Sequence, residues 1–394
     1  MAENPFIAYR RHLDVYRHAR ERGLSDAAYV ELVAAADQRV AEVDGRGFRV
    51  TPMVELALPA GCGRQGRVMA KVETGNVAGS HKARHLFGLL LRSLIDGAGG
   101  ADLAIASCGN AALGAAVVAR SGGRRLRVFV PVDADQAIVD QLDQLGAEVN
   151  VCRRQPGQEG DPCVDALEEA LAAGAEPFTV QGPLCPAVID GGRTIGLELA
   201  GQLEQAGLRP SDLYVQVGGG ALATAVMDGL QRQQPDGPLP RLHPVQARLA
   251  HPYVAGWHRI APRLLDRLGL ADPVDDWDRA GLLAAHLHLL DLPGDLEPWA
   301  GLMTPWPATP RSVASGILDD LPYDWRTVMG YQIATGGWPV TVEEATFRRA
   351  AELVRSAVSP PPDETGAAGL AGLLSDESAD LDGAVVLLTG VARH

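Results

Sequence analysis

From residue 66 to residue 247, short apolar runs alternate with longer segments whose apolar residues recur every three or four positions. The short runs read as strands and the periodic segments as helices. In chain order, "GRVMAKVE", "ADLAIAS", "RRLRVFVPV", "AEVNVC", "PFTVQ", "DLYVQVGGG" and "LHPVQAR" predict strands. Between them, "SHKARHLFGLLLRSLIDG", "NAALGAAVVARSGG", "DADQAIVDQLDQLG", "DPCVDALEEALAAG", "GGRTIGLELAGQLEQAG" and "ALATAVMDGLQRQ" predict helices. Strands that alternate with helices of this length run parallel, with helices on both faces of the sheet. Ligands of such sheets sit at the carboxyl ends of the strands.

Two segments depart from this rhythm. Residues 1–50 predict two amphipathic helices separated near "RGLSD", with Ser25 as an N-cap. Residues 251–309 hold four of the six tryptophans and many prolines. They read as an insertion near the site, a subunit contact, or an ordinary helical excursion. Beyond them come a helix in "TVEEATFRRAAELVRSAV", a turn in "SPPPDETG", a small-residue helix in "AAGLAGLL" and a final strand in "GAVVLLTG".

At 394 residues and 46% hydrophobic content the chain can bury a substantial core in two domains or one large one. Its net charge of −14, without a long basic run, offers nucleic acid or an anionic membrane nothing to bind. Cys62, Cys108, Cys152, Cys163 and Cys185 lack the paired spacing of a zinc site and read as reduced, so no metal is expected. No signal peptide or membrane-length apolar segment is found, and the cytoplasm is the expected location.

Composition sharpens one further point. Among 35 basic residues only Lys71 and Lys82 are lysines. A guanidinium stays protonated, whereas an amine can lose its proton and attack a carbonyl. Lys82 falls in the first helical turn after Gly79 and Ser80, a junction whose free amides favour the uncharged amine. Ser107, Gly109 and Asn110 in "ASCGNAALG" form a second junction, sized for a carboxylate. Gly218, Gly219 and Gly220, followed by Ala221 and Leu222, form a third, where backbone amides suit one phosphate. The glycines are not spaced as in a dinucleotide fingerprint or a Walker loop, which argues against a nucleotide-binding oxidoreductase. Thr389 ends the last strand, where its hydroxyl suits a neutral ring nitrogen. Taken singly, these four features also read as a surface lysine, a helix cap, an empty turn and a strand end.

Their order resembles that of the fold-type II pyridoxal-phosphate enzymes, which include threonine dehydratase, threonine synthase, cysteine synthase and the tryptophan synthase β chain. "KVETGNVAGSHKAR", "PVDADQAIVDQLDQLGAEV", "GGRTIGLEL" and "PPDETGAAGLAGLL" are similar to blocks of that family, from Thr51 to the C-terminus with 251–309 excepted. The resemblance implies an α/β fold of two doubly wound, open parallel-sheet domains with pyridoxal 5'-phosphate between them. The implied division is an N-terminal helical extension (1–50), a large cofactor domain (51–83 and 186–394) and a small mobile substrate-clamping domain (84–185). Lys82 is implied to carry the cofactor covalently and to remove the substrate Cα proton. Asn76 is implied at the ring hydroxyl, Ser107, Gly109 and Asn110 at the substrate carboxylate, Gly218 to Leu222 at the phosphate and Thr389 at the ring nitrogen. His81 stands where many relatives have Phe, as in the tryptophan synthase β chain, and is implied as a phosphate ligand.

A hydroxyl at the ring nitrogen does not sustain full pyridinium character, which favours loss of a β-leaving group over transamination. The implied activity is therefore a lyase of dehydratase or ammonia-lyase type on a small serine- or threonine-like L-amino acid, through an aminoacrylate or aminocrotonate. A synthase that captures this product with a second, nucleophilic substrate by β- or γ-replacement is the alternative. A non-catalytic, cofactor-binding regulatory protein is the third reading. A homodimer is expected, as the family resemblance implies.

Overall fold

A computed structural model of the chain describes residues 3–58, 66–155, 161–235, 237–268 and 301–393. Cys62 and residues 269–300 of the tryptophan-rich segment lie outside them. The strands are β1 (Met53–Leu58), β2 (Gly66–Val72), β3 (Leu103–Ala106), β4 (Leu126–Pro131), β5 (Glu148–Cys152), β6 (Glu176–Pro177), β7 (Asp212–Gln216), β8 (Arg241–Ala247), β9 (Val340–Val342) and β10 (Ala384–Leu388). The helices are α1 (Pro5–Ala8), α2 (Asp14–Glu21), α3 (Asp26–Asp44), α4 (Lys82–Asp96), α5 (Asn110–Ser121), α6 (Gln136–Gln144), α7 (Pro162–Ala172), α8 (Val188–Ala206), α9 (Ala221–Gln233), α10 (Pro252–Leu268), α11 (Trp325–Thr335), α12 (Glu344–Val354) and α13 (Ala368–Ser375).

Contacts gather the chain into two compact units, Met1–Thr51 with Gly75–Glu198 and Pro52–Thr74 with Leu199–His394. These boundaries differ from the expected ones, and the reason is visible in the first unit. Its N-terminal helices are part of a core, not an extension: Tyr29, Val33, Ala36 and Val40 of α3 share one apolar cluster with Leu86 and Phe87 of α4 and Ala112 and Ala115 of α5. The Phe87 ring centroid lies 4.9 Å from that of Phe6 and 4.6 Å from that of Phe48. Burying a ring of this size contributes about 1.5–3 kcal/mol. Ser25 caps α3 as its sequence predicts, accepting from the Ala28 amide at 3.0 Å, and Gly45 closes it in the left-handed region.

The sheet of the first unit has the strand order β5-β4-β3-β6, with every pairing parallel. Where "PFTVQ" predicts a strand, the sheet holds only Glu176–Pro177, and the Phe178 amide adds one bond to the Ala104 carbonyl at 2.8 Å.

The second unit is built on a six-stranded sheet of order β1-β2-β10-β7-β8-β9. Five of its strands run parallel, as the alternation predicts, while β1 joins β2 as an antiparallel edge from Met53↔Lys71 to Leu58↔Gly66. Helix α13 packs closely on this sheet: a Cβ on Gly372 would run into Val245, and one on Gly369 would lie 2.7 Å from the Tyr214 carbonyl. Neither β9 nor α11 was expected from the pattern. Among the described residues no helix is long and apolar enough to cross a membrane.

Candidate functional site

In the first unit, the turn from Asn76 to Ser80 delivers Lys82 to the first position of α4. The turn is tight: Ala78 has φ +53 and Gly79 φ +66, and the Asp44 carboxylate takes the Ala78 amide at 3.1 Å. A left-handed alanine costs roughly 1–2 kcal/mol, so the fold holds it there at a cost. The Asn76 side-chain oxygen accepts the Val77 amide at 2.8 Å. Lys82 is half-buried, with its amide 3.4 Å from the Ser80 hydroxyl.

Three residues further along α4 stands His85, which no sequence motif singled out. It is buried, and its Nδ1 donates to the Val188 carbonyl at 3.0 Å, so Nε2 is the unprotonated nitrogen of the neutral ring. Burial first, then the charge of Lys82, pushes its pKa down to about 3. The rings of His81 and His85 meet edge to face at 5.7 Å. Gly192 is glycine because a Cβ there would collide with the His85 ring, and Gly191 because one would collide with the Arg84 carbonyl. Beneath them Arg84 and Glu198, both fully buried, pair at 2.5 Å, and Glu198 also accepts the Thr51 amide at 3.0 Å. A charge inside an apolar helical pattern was the one available signal for this pair.

The strand-to-helix turn expected at Ser107 to Asn110 lies in the same unit. Gly109 is the N-cap of α5, Asn110 its first residue, and the Gly109 amide points towards the Ser107 hydroxyl at 3.5 Å. All three are partly exposed at the carboxyl end of β3, the end where ligands of parallel sheets sit.

In the second unit, Gly218, Gly219 and Gly220 link β7 to α9, and Gly220 takes φ +103 as the N-cap. A Cβ on Gly218 would run into the Asp319 carboxylate, one on Gly219 would lie 3.1 Å from the Tyr323 ring, and one on Gly220 would lie 3.1 Å from Asp324 and Val328. The Asp324 amide donates to the Gly219 carbonyl at 2.7 Å and pins the loop. The first amides of α9, at Ala221 and Leu222, face no intrahelical acceptor. Thr389 is buried just beyond β10, its amide bonded to the Gly366 carbonyl at 3.1 Å.

The second unit also shows a need for a polar ligand. The Thr74 and Thr224 hydroxyls are buried without a hydrogen-bond partner among the described residues, Thr74 just beyond β2 and Thr224 in the first turn of α9. Such groups are costly unless something else satisfies them. A side-chain-free loop, unsatisfied helix amides and two orphaned hydroxyls at the carboxyl end of one sheet fit a phosphorylated cofactor. Among the described residues no three His, Cys, Asp or Glu side chains are grouped to hold a metal ion.

Comparison with known proteins supplies the family. Residues 46–281 match the family described as pyridoxal-phosphate dependent enzyme. Curated protein sequences give no match. Among solved structures, a threonine deaminase from T.th. is 22% identical with a TM-score of 0.63, covering 93% of this chain and 98% of its own. The processed form of threonine deaminase isoform 2 from Solanum lycopersicum is 18% identical with a TM-score of 0.64, over 94% and 91%. Diaminopropionate ammonia lyase from Escherichia coli is 16% identical with a TM-score of 0.60, over 92% and 88%. At these identities the structures establish a shared fold. With the family matched over more than half its length, the chain belongs to the pyridoxal-phosphate dependent enzymes of fold type II, and its cofactor is pyridoxal 5'-phosphate.

Proposed function

We propose that this enzyme is a lyase that removes the Cα proton and a β-substituent from a small serine- or threonine-like L-amino acid, releasing a keto acid and ammonia. The observation that carries this reading is Thr389: a buried hydroxyl, not a carboxylate, stands just beyond β10. When bound, the cofactor withdraws electrons from the substrate Cα, and the protein decides which bond breaks. Lys82 would hold the cofactor through its amine and then act as the base at Cα. Ser107, Gly109 and Asn110 would hold the substrate carboxylate by hydroxyl, amide and side chain. Gly218, Gly219, Gly220, Ala221 and Leu222 would bind the phosphate by main-chain amides, with His81 a further phosphate donor and Asn76 a donor to the ring hydroxyl. His85, neutral at the pH of the cell, would leave the Lys82 amine without a cationic neighbour on that side of the helix.

The test is a panel assay on the cofactor-loaded enzyme: serine, threonine and their O-activated forms, with keto acid and ammonia measured together. Stoichiometric release of both without an added nucleophile is the expected result. Turnover only when a thiol or other nucleophile is present would replace elimination by capture. No turnover with any of them, despite bound cofactor, would leave the regulatory reading.

A further inference from the structure

Gln216 ends β7, two residues before the glycine loop, and is buried among apolar strand residues. Its Nε2 donates to the Thr389 Oγ1 at 2.6 Å, to the Thr365 carbonyl at 3.1 Å and to the Gly366 carbonyl at 3.4 Å. The two carbonyls fix which end of the carboxamide faces Thr389, because the reverse orientation would set oxygen against oxygen. Its Oε1 is left buried with no hydrogen-bond partner among the described residues. An orphaned carbonyl is a cost, and the geometry returns only the bonds made by the NH2.

We propose that Gln216 is a positioning residue that sets the proton of the Thr389 hydroxyl, so that the hydroxyl donates to the cofactor's ring nitrogen and keeps that nitrogen unprotonated. This rests on the reading of Thr389 as the ring-nitrogen partner. A carboxamide nitrogen can only donate. It occupies a lone pair of Oγ1, which makes the hydroxyl a poorer acceptor and, by polarisation, a better donor. The Gly366 carbonyl binds both the Thr389 amide and Nε2, so hydroxyl and carboxamide are held by one loop. A carboxylate at position 216 would do the opposite: it would take the Thr389 proton, turn Oγ1 lone pairs outward and favour a protonated ring. The acids closest in the bonding pattern are Asp363, whose carboxylate takes the Gly366 amide at 2.5 Å, and Glu73, whose amide donates to the Leu388 carbonyl at 2.7 Å.

The experiment loads the full-length enzyme with cofactor labelled with 15N at the ring and reads its NMR shift at one fixed pH near 8, so that the neighbouring acids stay in one state. In the parent the nitrogen is expected at the unprotonated pyridine position. Gln216→Glu should raise the protonated fraction about tenfold, equivalent to one pKa unit. Gln216→Met, which keeps the volume and adds no charge, should move it less in the same direction. A protonated ring in the parent overturns the proposal. If both Gln216 variants match the parent while Thr389→Ala shifts the resonance, Gln216 does not set the proton although Thr389 is the partner. If Thr389→Ala also leaves it unmoved, the Thr389 reading itself fails.

Discussion

The start of α4 and the start of α9 are both strand-to-helix junctions, yet their side chains are opposite in kind. The first carries Lys82 and His85 over the buried Arg84–Glu198 pair, whereas the second carries three glycines and no side chain longer than leucine in its first two helical residues. Both present the positive end of a helix. The junction therefore supplies only a field, and its chemistry is chosen by what stands there. Glycines leave the amides of α9 open to an anion, while α4 places the amine of Lys82 at the same end of a helix.

The contrast can be broken most forcefully beneath α4. Arg84→Met leaves Glu198 buried without its partner and should cost about 3–5 kcal/mol in denaturant unfolding, against which a loss under about 1 kcal/mol would show that the pair is not what holds the junction. Gly220→Ala comes next at about 1–2 kcal/mol, because its φ of +103 suits no alanine. It should also weaken cofactor binding measured by titration of the apoenzyme, and equal affinity would remove the glycine loop as the phosphate site.

Two buried groups, one in each unit, respond to pH with opposite sign. His85 has a folded pKa of about 3 against 6.5 in the unfolded chain, so the unfolded state takes up its proton first and its contribution to stability falls as pH drops from 6.5 towards 3. Asp363 has the opposite sign. Burial raises its pKa to about 6, so its contribution is present in acid and lost as pH rises from 3.8 through 6. In His85→Gln the unfolding midpoint at about pH 4.5 should therefore rise relative to that at pH 7 when compared with the parent, and an unchanged difference would mean that the ring is not held neutral. The smallest effect is expected at Asp319, whose carboxylate lies against Gly218. Asp319→Asn should tighten cofactor binding by about two- to fivefold, the size of a partly exposed charge interaction.

Much of this was legible in the sequence because it is local. Lys82, Gly218 to Gly220 and Ser107 to Asn110 sit where a strand pattern gives way to a helix pattern, and a junction needs no knowledge of distant residues. The cap at Ser25 was readable for the same reason. What was missed depends on pairings across the chain: Arg84 meets Glu198 across 114 positions and Gln216 meets Thr389 across 173. The antiparallel β1 was missed because its alternation is short and its direction is set by pairing with β2, which a single segment does not show. The N-terminal helices were misplaced because an amphipathic face shows that a helix is covered without showing by what.

The most direct measurement uses the scarcity of lysine. Reduction of the cofactor-loaded enzyme with borohydride, followed by peptide mapping, has two possible sites, Lys71 and Lys82. Lys71 is fully buried in β2 with its amine 3.0 Å from Gln202 Oε1, while Lys82 stands half-buried at the start of α4. A pyridoxyl group is expected on Lys82, and none after Lys82→Ala in a variant that still folds. Label on Lys71, or cofactor absorption unchanged in Lys82→Ala, would contradict the assignment of Lys82 as the cofactor-bearing amine.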